Sequence, residues 1–172
     1  RVLFRSNSVQ SKKQSFKKTG IFVGNGYAWH GVKDMIELAK RTPDLFLVIV
    51  GPYKIEEAPS NVFCTGVLNT ATLTALFEHC DFGIGPMRWD MLNISEGSPL
   101  KTREYLCNGL PILVNYYDCA ADYPELTSFI FNLKENPNCL KVLMETPFNK
   151  NIIKETAAHY LSWRSLLAPL MV

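Results

Sequence analysis

The sequence is short of the residues that build metal centres, disulfide frameworks and membrane spans. Its five cysteines (Cys64, Cys80, Cys107, Cys119 and Cys139) form no C-x-x-C, and its three histidines (His30, His79 and His159) stand at no ligand spacing with a cysteine or carboxylate cluster. That argues against a protein-held zinc ion. Most of the cysteines lie inside apolar runs, as reduced core thiols do, which points to a reducing, cytosolic setting. The longest strand-like apolar run is LFLVIVG at 45–51, far short of the roughly 18 residues that a membrane-spanning helix needs. The opening RVLFRSNSVQ has neither the apolar segment nor the cleavage site of a signal peptide and begins on Arg1, so the chain reads as a piece of something longer. Repeats and low-complexity tracts are absent, as are G-x-G-x-x-G and G-K-[ST], which removes the dinucleotide fingerprint and the phosphate-binding P-loop.

What is present is globular: 172 residues, 47% hydrophobic and 20% charged, enough for one domain with a sizeable core. The net charge of +2 is unevenly spread. Residues 1–20 carry Arg1, Arg5, Lys12, Lys13, Lys17 and Lys18 and no acid, leaving twelve basic against sixteen acidic residues elsewhere, a net −4. The body is therefore no general polyanion binder, and residues 1–19 read as a basic linker or leading strand in preference to a nucleic-acid or lipid contact.

From residue 20 onward, short β-branched or aromatic runs alternate with helical periods. The pattern predicts an α/β fold, a Rossmann-like parallel sheet flanked by helices. Strands are expected at 20–24, 45–51, 61–66, 82–85 and 111–115, with a further edge strand at 128–132. Val32, Met35, Ile36 and Ala39 repeat at i, i+3, i+4 and i+7 and predict a helix over 31–41. Others are expected through 70–80, from 99 to 108, over 136–146, and as one long closing helix from 149 to near Pro169. In the third helix Ser98 suits the cap, Pro99 the first helical position and Gly109 the left-handed stop. Arg103, Leu106, Cys107 and Leu110 form its inward stripe.

Ligands of open parallel sheets bind beyond the carboxyl ends of the strands. That brings three loops into view: GNGYAWHG, GPYKIEEAPSN and the long GPMRWDMLNISEGSPLK. Glu96 and Glu104, eight positions apart, straddle the start of the third helix, whose free amides suit a phosphate and whose first turns carry Lys101 and Arg103. By spacing alone the two carboxylates are ordinary surface charges; their place on the ligand-bearing edge is what raises them. Gly24 and Gly26 read equally as a strand-ending turn or as a close backbone approach to a ligand. Trp29 and His30 read as packing residues on periodicity alone, and Asp81 as a turn residue.

Together FVGNGYAWHGVKDMIELAK, LFLVIVGP, NVFCTGVLNTATLTALFEHCDFGIGPM and EGSPLKTREYLCNGLPILV resemble the C-terminal half of a family 4, GT-B glycosyltransferase (glycosyl transferases group 1). The resemblance spans roughly residues 20–118 and extends weakly to HYLSWRSLL. Its most specific part is the pair of glutamates followed by a Gly-Leu-Pro strand start, met by Glu96, Glu104, Gly109 and Pro111.

The resemblance implies that Glu96 lies by the donor sugar and Glu104 holds the ribose hydroxyls. It implies that the loop Ser98, Pro99, Leu100 and Lys101 supplies amides and a cation to the diphosphate, with Glu96 and Lys101 carrying the catalytic role. Base contacts fall near Thr65, Gly66 and Val67, and Gly24 lines the site. Where the family has an Arg and a Lys for the diphosphate, this sequence has Asn25 and His30; Lys101, Arg88, Arg103 and Lys33 are the substitutes in reach. The implied protein is the donor-binding half of a retaining, metal-independent enzyme without cofactor, acting with a nucleotide-diphosphate sugar. Its acceptor, a glycan or a lipid-linked molecule, would be held by an N-terminal domain absent from this chain. The expected location is cytoplasmic, with peripheral contact at the cytosolic membrane face left open. Two rival readings stand: a non-catalytic nucleotide-binding or interaction module of Rossmann-like shape, and a nucleotide-sugar epimerase.

Overall fold

The computed structural model describes residues 15–162. Six parallel strands form one sheet in the order β3-β2-β1-β4-β6-β8: β1 Lys18–Val23, β2 Leu45–Val50, β3 Val62–Gly66, β4 Phe82–Ile84, β6 Ile112–Val114 and β8 Ile130–Asn132. The helices are α1 Val32–Arg41, α2 Thr70–Glu78, α3 Leu100–Cys107, α4 Pro124–Thr127, α5 Cys139–Glu145 and α6 Lys150–Leu161. Strand order reverses between β1 and β4, the place where ligands of open parallel sheets bind.

LFLVIV is an unbroken apolar run because β2 is buried on both faces. Phe46, Val48 and Val50 point into one core with Leu76, Tyr105 and Ile153, which come from α2, α3 and α6. Leu45, Leu47 and Ile49 point into the other, with Met35 and Ala39 of α1 and Leu140 and Leu143 of α5. Their two-residue alternation sorts the strand between two helical layers.

All six expected strands form, including the edge strand within 128–132. β1 starts at Lys18, so the leading strand begins inside the basic stretch. Lys18 Nζ donates to the Thr146 carbonyl at 3.0 Å, and Phe16 stacks on Phe46 at 5.2 Å.

The third helix differs from expectation at its start. Pro99 is the N-cap, extended at φ −62° and ψ 140°, and Leu100 is the first helical residue. Ser98 does not cap; its hydroxyl accepts from Arg103 Nε instead. The inward stripe is Thr102, Tyr105 and Leu106, while Cys107 is exposed: packing on β4, β6 and α6 sets the buried face one residue earlier than the spacing predicts. The stop at Gly109 holds, with φ +77° and its N–H donating to Leu106 O at 2.9 Å.

Of the cysteines, Cys80 and Cys139 are buried, Cys64 and Cys119 half-buried and Cys107 exposed, so the core reading holds for two of the five. The closing helix stops at Leu161, where Ser162 turns extended at ψ 146°. Trp163 and the stretch to Pro169 lie outside the described residues. A two-stranded parallel ladder, β5 Glu96–Gly97 on β7 Tyr117–Asp118, was not foreseen.

Candidate functional site

The crevice is built by joining the loops that follow β1 and β4. Met87 N–H donates to His30 O at 3.0 Å and Arg88 N–H to Trp29 O at 3.2 Å, so a short turn at Ala28–His30 is strapped to the loop beyond Pro86. Gly31 then turns left-handed, at φ +67°, and opens α1. A side chain at Gly24 would run into Phe22 and the Tyr53 hydroxyl, so the backbone of the first loop lies directly against the second.

Lys101 enters this crevice from α3. Its Nζ lies 3.0 Å from His30 Nε2, over the Phe22 ring at 4.7 Å and near the Trp29 ring at 5.5 Å. His30 is buried, and its Nδ1 lies 2.9 Å from the Tyr53 hydroxyl, which accepts from Gly26 N–H at 3.0 Å. Among the described residues no carboxylate pairs with Lys101. Burial lowers its pKa to about 8. Burial first, and then the Lys101 charge, lowers that of His30 to about 4. At neutral pH the pair is therefore a largely protonated lysine against a neutral imidazole. Of the four candidate cations, Lys101 is the one that reaches position 30.

The other three point elsewhere. Arg88 is exposed and pairs with Asp90 at 3.2 Å. Lys33 lines a cavity of about 630 Å³ with Tyr27, Asp34, Tyr53, Lys54 and Arg88. Arg103 reaches back to Ser98 and lines a second cavity of about 530 Å³ with Ser98, Leu100, Glu104, Cys107 and Leu161. One guanidinium nitrogen of Arg103, Nη1, is buried there without a hydrogen-bond partner. Glu104 shares this cavity, and partial burial raises its pKa.

Glu96 is exposed on β5, placed by its backbone: Trp89 Nε1 donates to Glu96 O at 3.0 Å. Below it, the buried Asp118 carboxylate accepts from Thr102 Oγ1 at 2.8 Å, Tyr116 OH at 2.9 Å and Ala120 N–H at 3.0 Å. That carboxylate ties the first turn of α3 to the strand paired with β5.

The fold thus gathers Ser98, Leu100, Arg103 and Glu104 around one cavity and brings Lys101 to His30 beside Gly24. Asn25 is exposed, and Gly66 and Val67, at the end of β3, line neither cavity. Sequence reasoning passed over Tyr53, Trp89 and Asp118. Tyr53 lay in a loop already singled out, but its partners are set by the crossing of three chain segments and leave no local pattern. Among the described residues no three His, Cys, Asp or Glu side chains gather as a metal site requires, and no helix is long and apolar enough to cross a membrane.

Solved structures share this architecture. A glycosyltransferase involved in lipopolysaccharide biosynthesis, WaaG, matches over 99% of this chain and 50% of its own, with a TM-score of 0.61 at 16% identity. AviGT4, a glycosyltransferase involved in avilamycin A biosynthesis, matches over 92% and 53%, with a TM-score of 0.65 at 14% identity. A protein from E. coli described as trehalose-6-phosphate bound with UDP-2-fluoro glucose matches over 91% and 42%, with a TM-score of 0.58 at 13% identity. The chain spans about half the length of these proteins, and at such identities the likeness is one of fold: GT-B, with a Rossmann-like sheet. No curated protein matches the sequence. A family model described as glycosyl transferases group 1 matches residues 4–126, well over half of the 172 residues, and the chain belongs to that family.

Proposed function

We propose that this chain is the C-terminal, nucleotide-sugar-binding half of a retaining glycosyltransferase of the family 4 type. The observation that carries the reading is the Lys101 ammonium: a cation without a carboxylate partner among the described residues, at the strand-order reversal, on the helix that bears Glu104. Sugar transfer builds negative charge on the departing diphosphate. A fixed ammonium and the uncapped amides of α3 stabilise that charge more in the transition state than in the ground state, and they do so without a metal. Glu104 would take the ribose hydroxyls and Glu96 the donor sugar, with bases contacting the end of β3 near Gly66 and Val67. The acceptor, a glycan or lipid-linked molecule, would come from the other half of a longer cytoplasmic enzyme, acting in solution or at the cytosolic membrane face.

Calorimetric titration of the chain with UDP, GDP and ADP tests this. One nucleotide should bind selectively, and Glu104→Ala should weaken it roughly tenfold or more, the loss of charged hydrogen bonds. Binding of none of the three, or equal binding by the variant, would refute the reading. The non-catalytic alternative draws on Asn25, exposed where the family carries a cation; sugar transfer by the longer enzyme, lost in Glu96→Ala, decides against it.

A further inference from the structure

The proposed donor site needs a cation held in place, yet an ammonium on a four-carbon stem is the most mobile of the candidate groups. What restrains Lys101 is a chain of contacts from three separate segments. Its Nζ meets His30 Nε2 at 3.0 Å, His30 Nδ1 meets the Tyr53 hydroxyl at 2.9 Å, and that hydroxyl takes the Gly26 N–H at 3.0 Å. An ammonium has donors only, so His30 Nε2 must accept; the single imidazole proton then sits on Nδ1 and is donated to Tyr53, whose oxygen accepts twice. The Tyr27 and Trp29 rings stand edge-on to the imidazole at 5.8 and 4.2 Å and fix its plane.

We propose that Tyr53 and His30 are positioning residues: as one hydrogen-bonded chain they hold the Lys101 ammonium in the crevice, with its two remaining N–H groups left for an anionic diphosphate. The proposal rests on the donor-binding reading and deepens it, since it explains how a sequence with His at position 30 keeps a diphosphate cation there.

The charged and titratable groups on the surrounding elements are Tyr27 and His30 on the loop after β1, Lys33 and Asp34 in the first turn of α1, Tyr53, Lys54, Glu56 and Glu57 after β2, Arg88 and Asp90 after β4, Glu96 on β5, and Arg103 and Glu104 on α3 itself. Arg88 and Asp90 neutralise each other at 3.2 Å. Among the described residues none of these carboxylates pairs with Lys101, so an arriving anion would raise its proton affinity, and binding would be accompanied by proton uptake on the alkaline side of neutrality.

The test follows the Lys101 side chain by NMR in a lysine-labelled sample of the whole chain, with inorganic pyrophosphate as probe. The free wild type should titrate near pH 8, and pyrophosphate should move that midpoint upward. His30→Leu, which removes the acceptor, should lower the free midpoint by about one unit and weaken pyrophosphate roughly tenfold. His30→Gln offers an amide oxygen at the same place and should recover most of both. Tyr53→Phe, which keeps the ring and removes one hydroxyl, should shift the midpoint in the same direction by less, and carries the comparison if His30→Leu does not fold.

A Lys101 midpoint unmoved by pyrophosphate, or by both the His30→Leu and the Tyr53→Phe exchange, overturns the proposal. If that happens while a nucleoside diphosphate still binds, the donor-site reading survives and only the positioning chain falls. The expected lysine shifts in a chain that binds no nucleoside diphosphate would leave the positioning chain standing and remove the donor reading.

Discussion

His30 is buried with its proton affinity depressed to about 4 from the ordinary 6.5. Between those two values the unfolded chain binds the proton and the folded one does not. The stability contributed by the neutral imidazole is therefore complete above pH 6.5 and lost as pH falls through 4, at most about 3 kcal/mol. Urea unfolding at pH 7, 5.5 and 4.5 should show the wild type losing more stability than His30→Gln; parallel losses would contradict the assignment. Lys101 works in an alkaline window. Its folded pKa of about 8 lies below 10.5, so stability should rise as pH climbs between them. Both residues stood out in the sequence, one for occupying a cation's usual position and one for its place in the first turn of a helix. Their contact could not be read there, because it spans 71 positions and depends on where β1 and β4 leave the sheet.

Helix α3 holds its place through partners that propensity does not report. The Asp118 carboxylate takes three donors from α3, Tyr116 and the turn beyond β7. Asp118→Ala should cost about 2–3 kcal/mol by chemical denaturation, since it leaves buried hydroxyls unmatched, and it should also weaken nucleotide binding because the carboxylate holds Thr102 in the first turn of α3, beside Lys101. Asp118→Asn, which keeps two of the acceptor geometries, should lose less. At the opposite end of the sheet, Lys150 of α6 donates to the Phe77, Glu78 and Cys80 carbonyls at 3.0, 3.0 and 2.7 Å, closing the C-terminus of α2. Lys150→Met should lower the urea midpoint by the equivalent of about 1–2 kcal/mol. The strands were legible because burial on two faces writes itself as consecutive apolar residues. The start of α3 was not: Ser98 has the chemistry of a cap, but Arg103 claims its hydroxyl, and an i-to-i+5 reach of that kind has no signature in sequence.

At the scale of the whole chain, the carboxyl edge of the sheet is where apolar side chains meet solvent: Tyr27, Val67, Met91, Leu92, Ile94 and Leu100 are all exposed there or on the loops that leave it. Among the described residues this edge lies open, and the chain is about half as long as the structures it resembles. Saturating it with its nucleotide at a hundred times the dissociation constant should add about 2.7 kcal/mol, a rise of roughly 5–10 °C in Tm, with slower amide exchange in residues 86–98; an unshifted Tm would rule out a preformed site. The parallel sheet and its loop-bearing carboxyl edge were legible from alternation and loop length, whereas the strand order and the ladder of β5 on β7, two residues a side, leave no period to read. Trp29 and Trp89 meet nearly at right angles, 83° apart with centroids at 5.4 Å, where the loops after β1 and β4 are strapped together. Two indoles so arranged couple their electronic transitions, and one of them lies beside Lys101. Circular dichroism and intrinsic emission should therefore report an anion's arrival, giving the protein a built-in optical gauge of occupancy that requires no label.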